Sequence, residues 1–305
     1  MFELIRANKI KSWILILGLT TVLVVLGAII GEVLAPDSGG AVAGVAIAVV
    51  IAAFMNLLAY FGGGSMVLAM SNAKEIEHKD SPQLFNVVEE MSIAAGIPMP
   101  KVYLIDDMAM NAFATGRDPQ HAAVAITKGL LVKLNRDELQ GVMAHELSHV
   151  RHYDILYATL MAVMVGVLVM LCDVFLRSMW YGGGRRRSSR DRQQGGGLQI
   201  VLLVVALVLA IIAPILAKII HMALSRQREY LADAGAVELT RNPHGLASAL
   251  AKLSGDTEVL EVANRATAPL YIVHPIKKFE ARASSIFSTH PPIEDRIKRL
   301  MALTV

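Results

Sequence analysis

The sequence predicts a mainly α chain, with polytopic membrane helices and a small α+β module on the cytoplasmic face. Three observations predict it. Of its 305 residues, 54% are hydrophobic and only 18% charged, with a mean hydropathy of +0.51. The apolar excess is gathered into four runs, 13–30, 41–61, 155–176 and 198–217, of which only the third holds a charged residue, Asp173. Each run reaches or nears the ~20 residues that carry a helix across the hydrocarbon core. The stretch between the second and third runs instead alternates short strand patterns with amphipathic helices.

Taken in order, the first run follows Arg6, Lys9 and Lys11, which places the N-terminus on the cytoplasmic side. It is longer than the ~7–15 apolar residues of a signal peptide and a second run follows, so it reads as an anchor rather than a cleaved signal. The turn between the two runs, 35–40, carries no positive charge and reads as external. Residues 1–61 are therefore expected to form a two-helix transmembrane hairpin that returns the chain to the cytoplasm.

Residues 62–154 read as the first part of the module. Ser81 and Pro82 stand as N-cap and N1 of a helix closed by Gly96. Stretches 102–105, 111–115 and 122–127 read as short strands with turn residues between them. Asn135 and Glu138 have capping-box spacing and open a helix that is expected to run on toward the third membrane segment.

Residues 155–223 hold membrane segments three and four, joined by an Arg/Gly-rich linker, 177–197. The linker reads as flexible and solvated, with lipid headgroups as a second partner for its arginines. It carries Arg177, Arg185, Arg186, Arg187, Arg190 and Arg192 against one acid, Asp191. If both segments cross, this basic linker lies outside, against the positive-inside rule. The need to bring both flanks of the two segments to one site outweighs that rule here; the alternative is that the two segments do not fully cross. Residues 224–305 form the second part of the module. The single cysteine, Cys172, permits no intrachain disulfide. The net charge of +3 comes with no basic patch interleaved with aromatics, so nothing points to nucleic acid.

The chemistry is concentrated in His145-Glu146-Leu-Ser-His149. On a helix, residues four apart share a face, so the two imidazoles can converge on one ion. Glu146 is offset by about 100° from His145. Its carboxylate would lie beside the metal rather than on it, placed to take a proton from water. A catalytic zinc needs three protein ligands. After the fourth run, Glu229 and Asp233 share a helix face: a Glu would complete a His2Glu set, and an acid one turn on can hold a ligand histidine's other N–H. The plain alternatives are two solvated histidines on an exposed turn, and an exposed acidic pair answering Arg226 and Arg228.

H-E-L-S-H beside one membrane run, E-Y-L-A-D after the next, N-A-F-A-T-G upstream and S-T-H-P-P near the end resemble the HtpX-type membrane metalloproteases, relatives of the CAAX prenyl proteases. The resemblance covers nearly the whole chain, in motif order and in the placement of the runs. It implies a zincin-like α+β catalytic module and one Zn2+ per chain on His145, His149 and Glu229, with Glu146 as general base. It also implies an endopeptidase of membrane protein quality control in the cell inner membrane, multi-pass, linked to stress response. The implied partners are polypeptide substrates, membrane proteins among them, the bilayer, and other membrane quality-control proteases.

Read this way, Asn111, Ala112, Phe113 and Ala114 form a sheet edge that pairs with an extended substrate; otherwise they form an ordinary internal strand. His290 would donate to the oxyanion with Arg296 assisting, or else pack at a helix start. Asp154 would anchor the active-site helix where it meets the membrane, or be a solvated interfacial acid. His152, His221, His244 and His274 are not expected to ligate metal once three ligands are in place. Two other functions fit parts of the pattern: a CAAX-type prenyl-protein endopeptidase, and a catalytically silent zinc-containing membrane scaffold. A transporter does not fit, because the runs lack the ionisable residues of a transport pathway.

Overall fold

The structure, a computed structural model, describes residues 2–35, 38–164, 226–260, 267–273 and 291–303. Two long helices come first, α1 (Phe2–Leu34) and α2 (Gly40–Met70). Both are long and apolar enough to cross a membrane. At 1.5 Å per residue each is roughly 45–50 Å long, against a hydrocarbon core of ~30 Å, so their ends reach beyond it. At the hairpin end they meet backbone to backbone through Gly27 and Gly31 on α1 and Gly40 and Gly44 on α2. A Cβ on Gly31 would fall on the Gly40 carbonyl, and one on Gly44 on the Gly27 carbonyl. This is the four-residue spacing of small residues by which apolar helices pack without a hydrophobic driving force. Nearer the other end, Asn56 Nδ2 donates to Thr20 Oγ1 at 2.9 Å.

The helix α2 does not stop with its apolar run at Phe61 but continues to Met70. The glycines just past the run allow close packing. A Cβ on Gly63 would lie 3.0 Å from Thr159 Cγ2, and one on Gly64 3.5 Å from Gly116 Cα.

Beyond it lie β1 (Lys74–Glu75), α3 (Pro82–Ala95), β2 (Lys101–Ile105), β3 (Ala112–Gly116) and β4 (Ala122–Thr127). Gly96 closes α3 in the left-handed conformation, as its position predicts, whereas Ser81 at the N-cap makes no side-chain cap bond. The strands form one mixed sheet in the order β1-β2-β4-β3, with β2 and β4 parallel and β3 antiparallel to β4 at the edge. Residues alternate between its two faces. Ala112, Ala114, Val124 and Ile126 join a core with the helices of the module, while Phe113, Ala123 and Ala125 join a second core with Val67, Leu156 and Leu160. The sheet is thus a wall between the helices of the module and a second layer that includes the C-terminal end of α2.

After α4 (Lys128–Lys133) comes α5 (Arg136–Arg151), which carries the H-E-x-x-H motif. Its capping box is present: Asn135 accepts from the Glu138 N–H at 2.9 Å, and Glu138 accepts from the Asn135 N–H at 2.8 Å. Glu138 also takes Lys252 Nζ at 2.7 Å and Ser248 Oγ at 2.6 Å, tying the cap to α8. Contrary to expectation, α5 does not run on into the next segment. It ends at His152, Tyr153 takes a positive φ of 61°, and α6 (Asp154–Met164) starts afresh. The third run beyond Met164, the linker and the fourth run lie outside the described residues. α7 (Arg226–Thr240) and α8 (Pro243–Gly255) pack on α5, and α9 (Ile293–Met301) packs on α8 and α7.

Asn135→Ala should remove the cap of the motif helix and lower stability by about 1 kcal/mol. Asn135→Ser should recover most of it, as read by the midpoint of thermal unfolding. An unchanged midpoint in Asn135→Ala would show that the cap contributes nothing.

Candidate metal centre

The α5 helix presents His145, Glu146 and His149, and α7 brings Glu229 and Asp233, one turn apart, to face them. All but His149 are at least nine-tenths buried. The imidazoles stand edge to face with centroids 4.8 Å apart, and their Nε2 atoms are 3.3 Å apart. Glu229 Oε2 is 3.7 Å from His145 Nε2, and Oε1 is 3.7 Å from His149 Nε2.

The other nitrogen of each ring is held by a carboxylate. His145 Nδ1 is 3.1 Å from Asp233 Oδ1, and His149 Nδ1 is 3.0 Å from Asp154 Oδ2. An ionised carboxylate only accepts, so each Nδ1 carries the hydrogen and each Nε2 lone pair points at the common space. Tetrahedral ligands at ~2.0–2.1 Å from a zinc ion lie roughly 3.3–3.4 Å from one another. The two nitrogens match that spacing, each has one of the two Glu229 oxygens within a few tenths of an ångström of it, and one donor atom from each residue lies within 4.8 Å of the others, so the residues fit a cation such as zinc.

Charge agrees with this. Glu146, Asp154, Glu229 and Asp233 face two nearby guanidiniums, Arg296 and, 4.0 Å from Asp154, Arg228. Lys11 also stands near Asp154, so four acids meet three bases and the cluster keeps a net negative charge that favours a cation. Without a cation, protons respond to the imbalance. Burial opposes charge on His149, but the Asp154 hydrogen bond and the Glu229 charge outweigh it and push its pKa up to about 9. Burial pushes His145 down, aided by Arg296 and opposed by Asp233. Burial first, then Glu229, raises Glu146 to about 7, against the pull of His149. A base near neutrality can both take and return a proton. The Ala114 backbone N–H on β3 faces the Glu146 carboxylate and favours its charged form.

Arg296 is fully buried. Its Nε and Nη2 grip Asp233 in a fork at 2.9 and 2.6 Å, while Nη1 lies 3.3 Å from Glu229 Oε2 and donates to the Ile272 carbonyl at 3.2 Å. These contacts place Arg296 against Asp233 and Glu229, on the far side of the imidazole cluster's carboxylates.

The residues of the expected sheet edge meet a later segment of the chain. Asn111 Nδ2 donates to the Val273 carbonyl at 2.9 Å, and the Ala112 carbonyl accepts from the Ile272 N–H at 3.0 Å. Phe113 packs edge to face on Tyr271. Three of the four edge residues therefore hold residues 271–273 of the same chain, and only Ala114 faces Glu146. His290, His221 and His274 lie outside the described residues. His244 sits in the N-terminal turn of α8, and His152 ends α5, so neither joins the cluster.

Asn8 was not visible as a site residue. Its Nδ2 donates to Asp154 Oδ1 at 2.6 Å and to the His152 carbonyl at 3.1 Å. The only signal is an amide among the basic residues before the first run.

Residues 78–304 match peptidase family M48. A protease HtpX homolog of Dictyoglomus thermophilum is 47% identical over 300 residues, which cover 98% of this chain and 93% of that protein. Protease HtpX homologs of Listeria monocytogenes and Lactobacillus acidophilus are 45% and 43% identical, each over 98% of this chain and 99% of theirs. The crystal structure of S. mikatae Ste24p is similar in fold, with a TM-score of 0.53 at 20% identity over 98% of this chain and 67% of that one.

His149 must shed its proton to ligate a metal. Because its pKa is raised to about 9, binding at neutral pH displaces one proton. Affinity should climb by about tenfold per pH unit from pH ~6 and level off only above the raised pKa. Competition titrations against a chelator across pH check this, and a flat affinity would contradict it.

Proposed function

Because this chain belongs to peptidase family M48, as a membrane metalloprotease similar to the HtpX proteins, we propose that it binds one zinc ion through His145, His149 and Glu229. With it, the enzyme hydrolyses peptide bonds of membrane and associated proteins, misfolded ones among them. The observation that carries this is the convergence of two carboxylate-held imidazoles and Glu229 at zinc-ligand spacing, with Glu146 beside them. Bound there, zinc would polarise the scissile carbonyl and lower the pKa of water toward ~7.

The chain's own residues do the rest. Glu146 takes the proton of the attacking water and returns it to the leaving amine, a task suited to a pKa of about 7. Asp233 and Asp154 keep the ring hydrogens on Nδ1, so that both Nε2 atoms stay available. Arg296 keeps Asp233 and Glu229 in place. We assign the oxyanion contact to His290, on the ground that it stands six residues before Arg296. Ala114, next to the general base, is the point on β3 where an extended substrate backbone meets the site.

On this reading the chain is a multi-pass protein of the cell inner membrane, with N-terminus and active site in the cytoplasm. Arg6, Lys9 and Lys11 before the first span support that sidedness. The Asn8–Asp154 contact supports a shared face, because it joins the start of α1 to the end of the motif helix. The module is assembled from 62–154 and 224–305, with the segment 155–223 between them.

Glu146→Gln should bind zinc like the wild type and lose about 10²–10⁴-fold in turnover, since the amide keeps the shape but cannot take a proton. His149→Ala should lose metal and cleavage together. The measurements are bound zinc and cleavage of a loosely folded membrane protein by detergent-purified enzyme, with and without chelator. Wild-type turnover in Glu146→Gln would remove the general base from this mechanism.

A further inference from the structure

The turn between α5 and α6 is where the motif helix breaks, and Asp154, which holds His149, sits just past it. Tyr153 in that turn has a φ of 61°, a left-handed conformation that costs a non-glycine residue on the order of 1 kcal/mol or more. No helical hydrogen-bond rail runs through the turn, so the direction of the Asp154 carboxylate must be set by something else.

The first turns of α1 supply it. Asn8, 4% exposed, uses both hydrogens of Nδ2: one to the His152 carbonyl at 3.1 Å and one to Asp154 Oδ1 at 2.6 Å, across 146 residues of sequence. Both partners only accept, which fixes the orientation of the amide. The next residue, Lys9, places Nζ 4.5 Å from the centroid of the Tyr153 ring. Two consecutive residues of α1 thus hold both residues of the turn and the one that follows it. The second oxygen of Asp154 takes Nδ1 of His149 at 3.0 Å, while Arg228 Nε stands 4.0 Å from the oxygen that Asn8 bonds.

We infer that Asn8 is a positioning residue of the metal centre: it sets the Asp154 carboxylate that orients His149, so the cytoplasmic end of α1 is part of the active site as well as an anchor. This rests on the reading of His149 as a zinc ligand. Partners that hold a ligand histidine change metal affinity by about 10–100-fold. Asn8 acts one bond further out, so its effect falls at or below the lower end of that range.

The test uses the full chain in detergent, comparing wild type, Asn8→Asp, Asn8→Ala, Ser12→Ala and His149→Ala. Asn8→Asp keeps the shape, removes the donor and sets a carboxylate against Asp154. Ser12 is buried one turn further along α1, but its hydroxyl donates only to the Asn8 carbonyl of its own helix, at 3.0 Å. Two readouts are taken: zinc affinity by chelator competition, and the visible spectrum of the cobalt(II)-substituted protein, which reports ligand geometry. The expected result is a zinc affinity about tenfold weaker in Asn8→Asp and a few-fold weaker in Asn8→Ala. Both should show a changed cobalt spectrum, and Ser12→Ala should match wild type.

Wild-type affinity and spectrum in Asn8→Asp would overturn the inference even if that variant melts earlier, because Asn8 would then only dock the helix. If Asn8→Asp does not fold, Asn8→Ala decides by the same criteria. Wild type without zinc, indistinguishable from His149→Ala, would overturn the zinc centre itself and the inference with it.

Discussion

Two imidazole nitrogens and a carboxylate, each with a lone pair aimed at the same few cubic ångströms of buried space, repel one another in a medium of low dielectric constant. The rest of the molecule is arranged to keep them there. Asp233 and Asp154 grip the far nitrogens of the two rings, and Arg296 grips Asp233 and lies against Glu229. The site is built from three helices that are remote in sequence, each locked by a different device. α5 is capped and tied to α8 through Glu138, α7 packs along α5, and α9 buries Arg296 completely. A cation satisfies this arrangement in a way that a proton on His149 does only in part.

The sheet and the membrane helices serve the same constraint from the other side. The β3 strand lays Ala114 toward Glu146, and its opposite face packs on the C-terminal end of α2 and the start of α6. The helix α2 reaches that far because Gly63 and Gly64 allow the sheet and α6 to come close. At the distal end the glycine contacts of α1 and α2 fix the hairpin, and at the near end Asn8 meets the break after α5. Catalytic module and membrane anchor are therefore mechanically continuous.

How much of this was legible in the sequence depends on the range of the interaction. Local periodicity revealed the two apolar helices, the capping box of α5 and the shared face of His145 and His149, because each is a matter of spacing within a few residues. Glu229 and Asp233 were legible as a pair one turn apart, and their placement opposite α5 rested on resemblance rather than spacing. Three features had no local signature. Tyr153 is an ordinary residue in a left-handed conformation, so nothing announced the end of α5. The apolar run ends at Phe61, whereas packing carries its helix on through Gly62 to Gly64 and as far as Met70. The pairing of residues 271–273 with the β3 edge, like that of Asn8 with Asp154, joins positions separated by well over a hundred residues.

The most direct measurement is the zinc-edge X-ray absorption spectrum of the purified protein as isolated. The structure predicts a first shell of nitrogen and oxygen only, at ~2.0–2.1 Å, with outer-shell scattering from two imidazoles that falls to one or vanishes in His149→Ala. A sulfur ligand at ~2.3 Å, or an unchanged spectrum in that variant, would contradict a centre made by His145, His149 and Glu229.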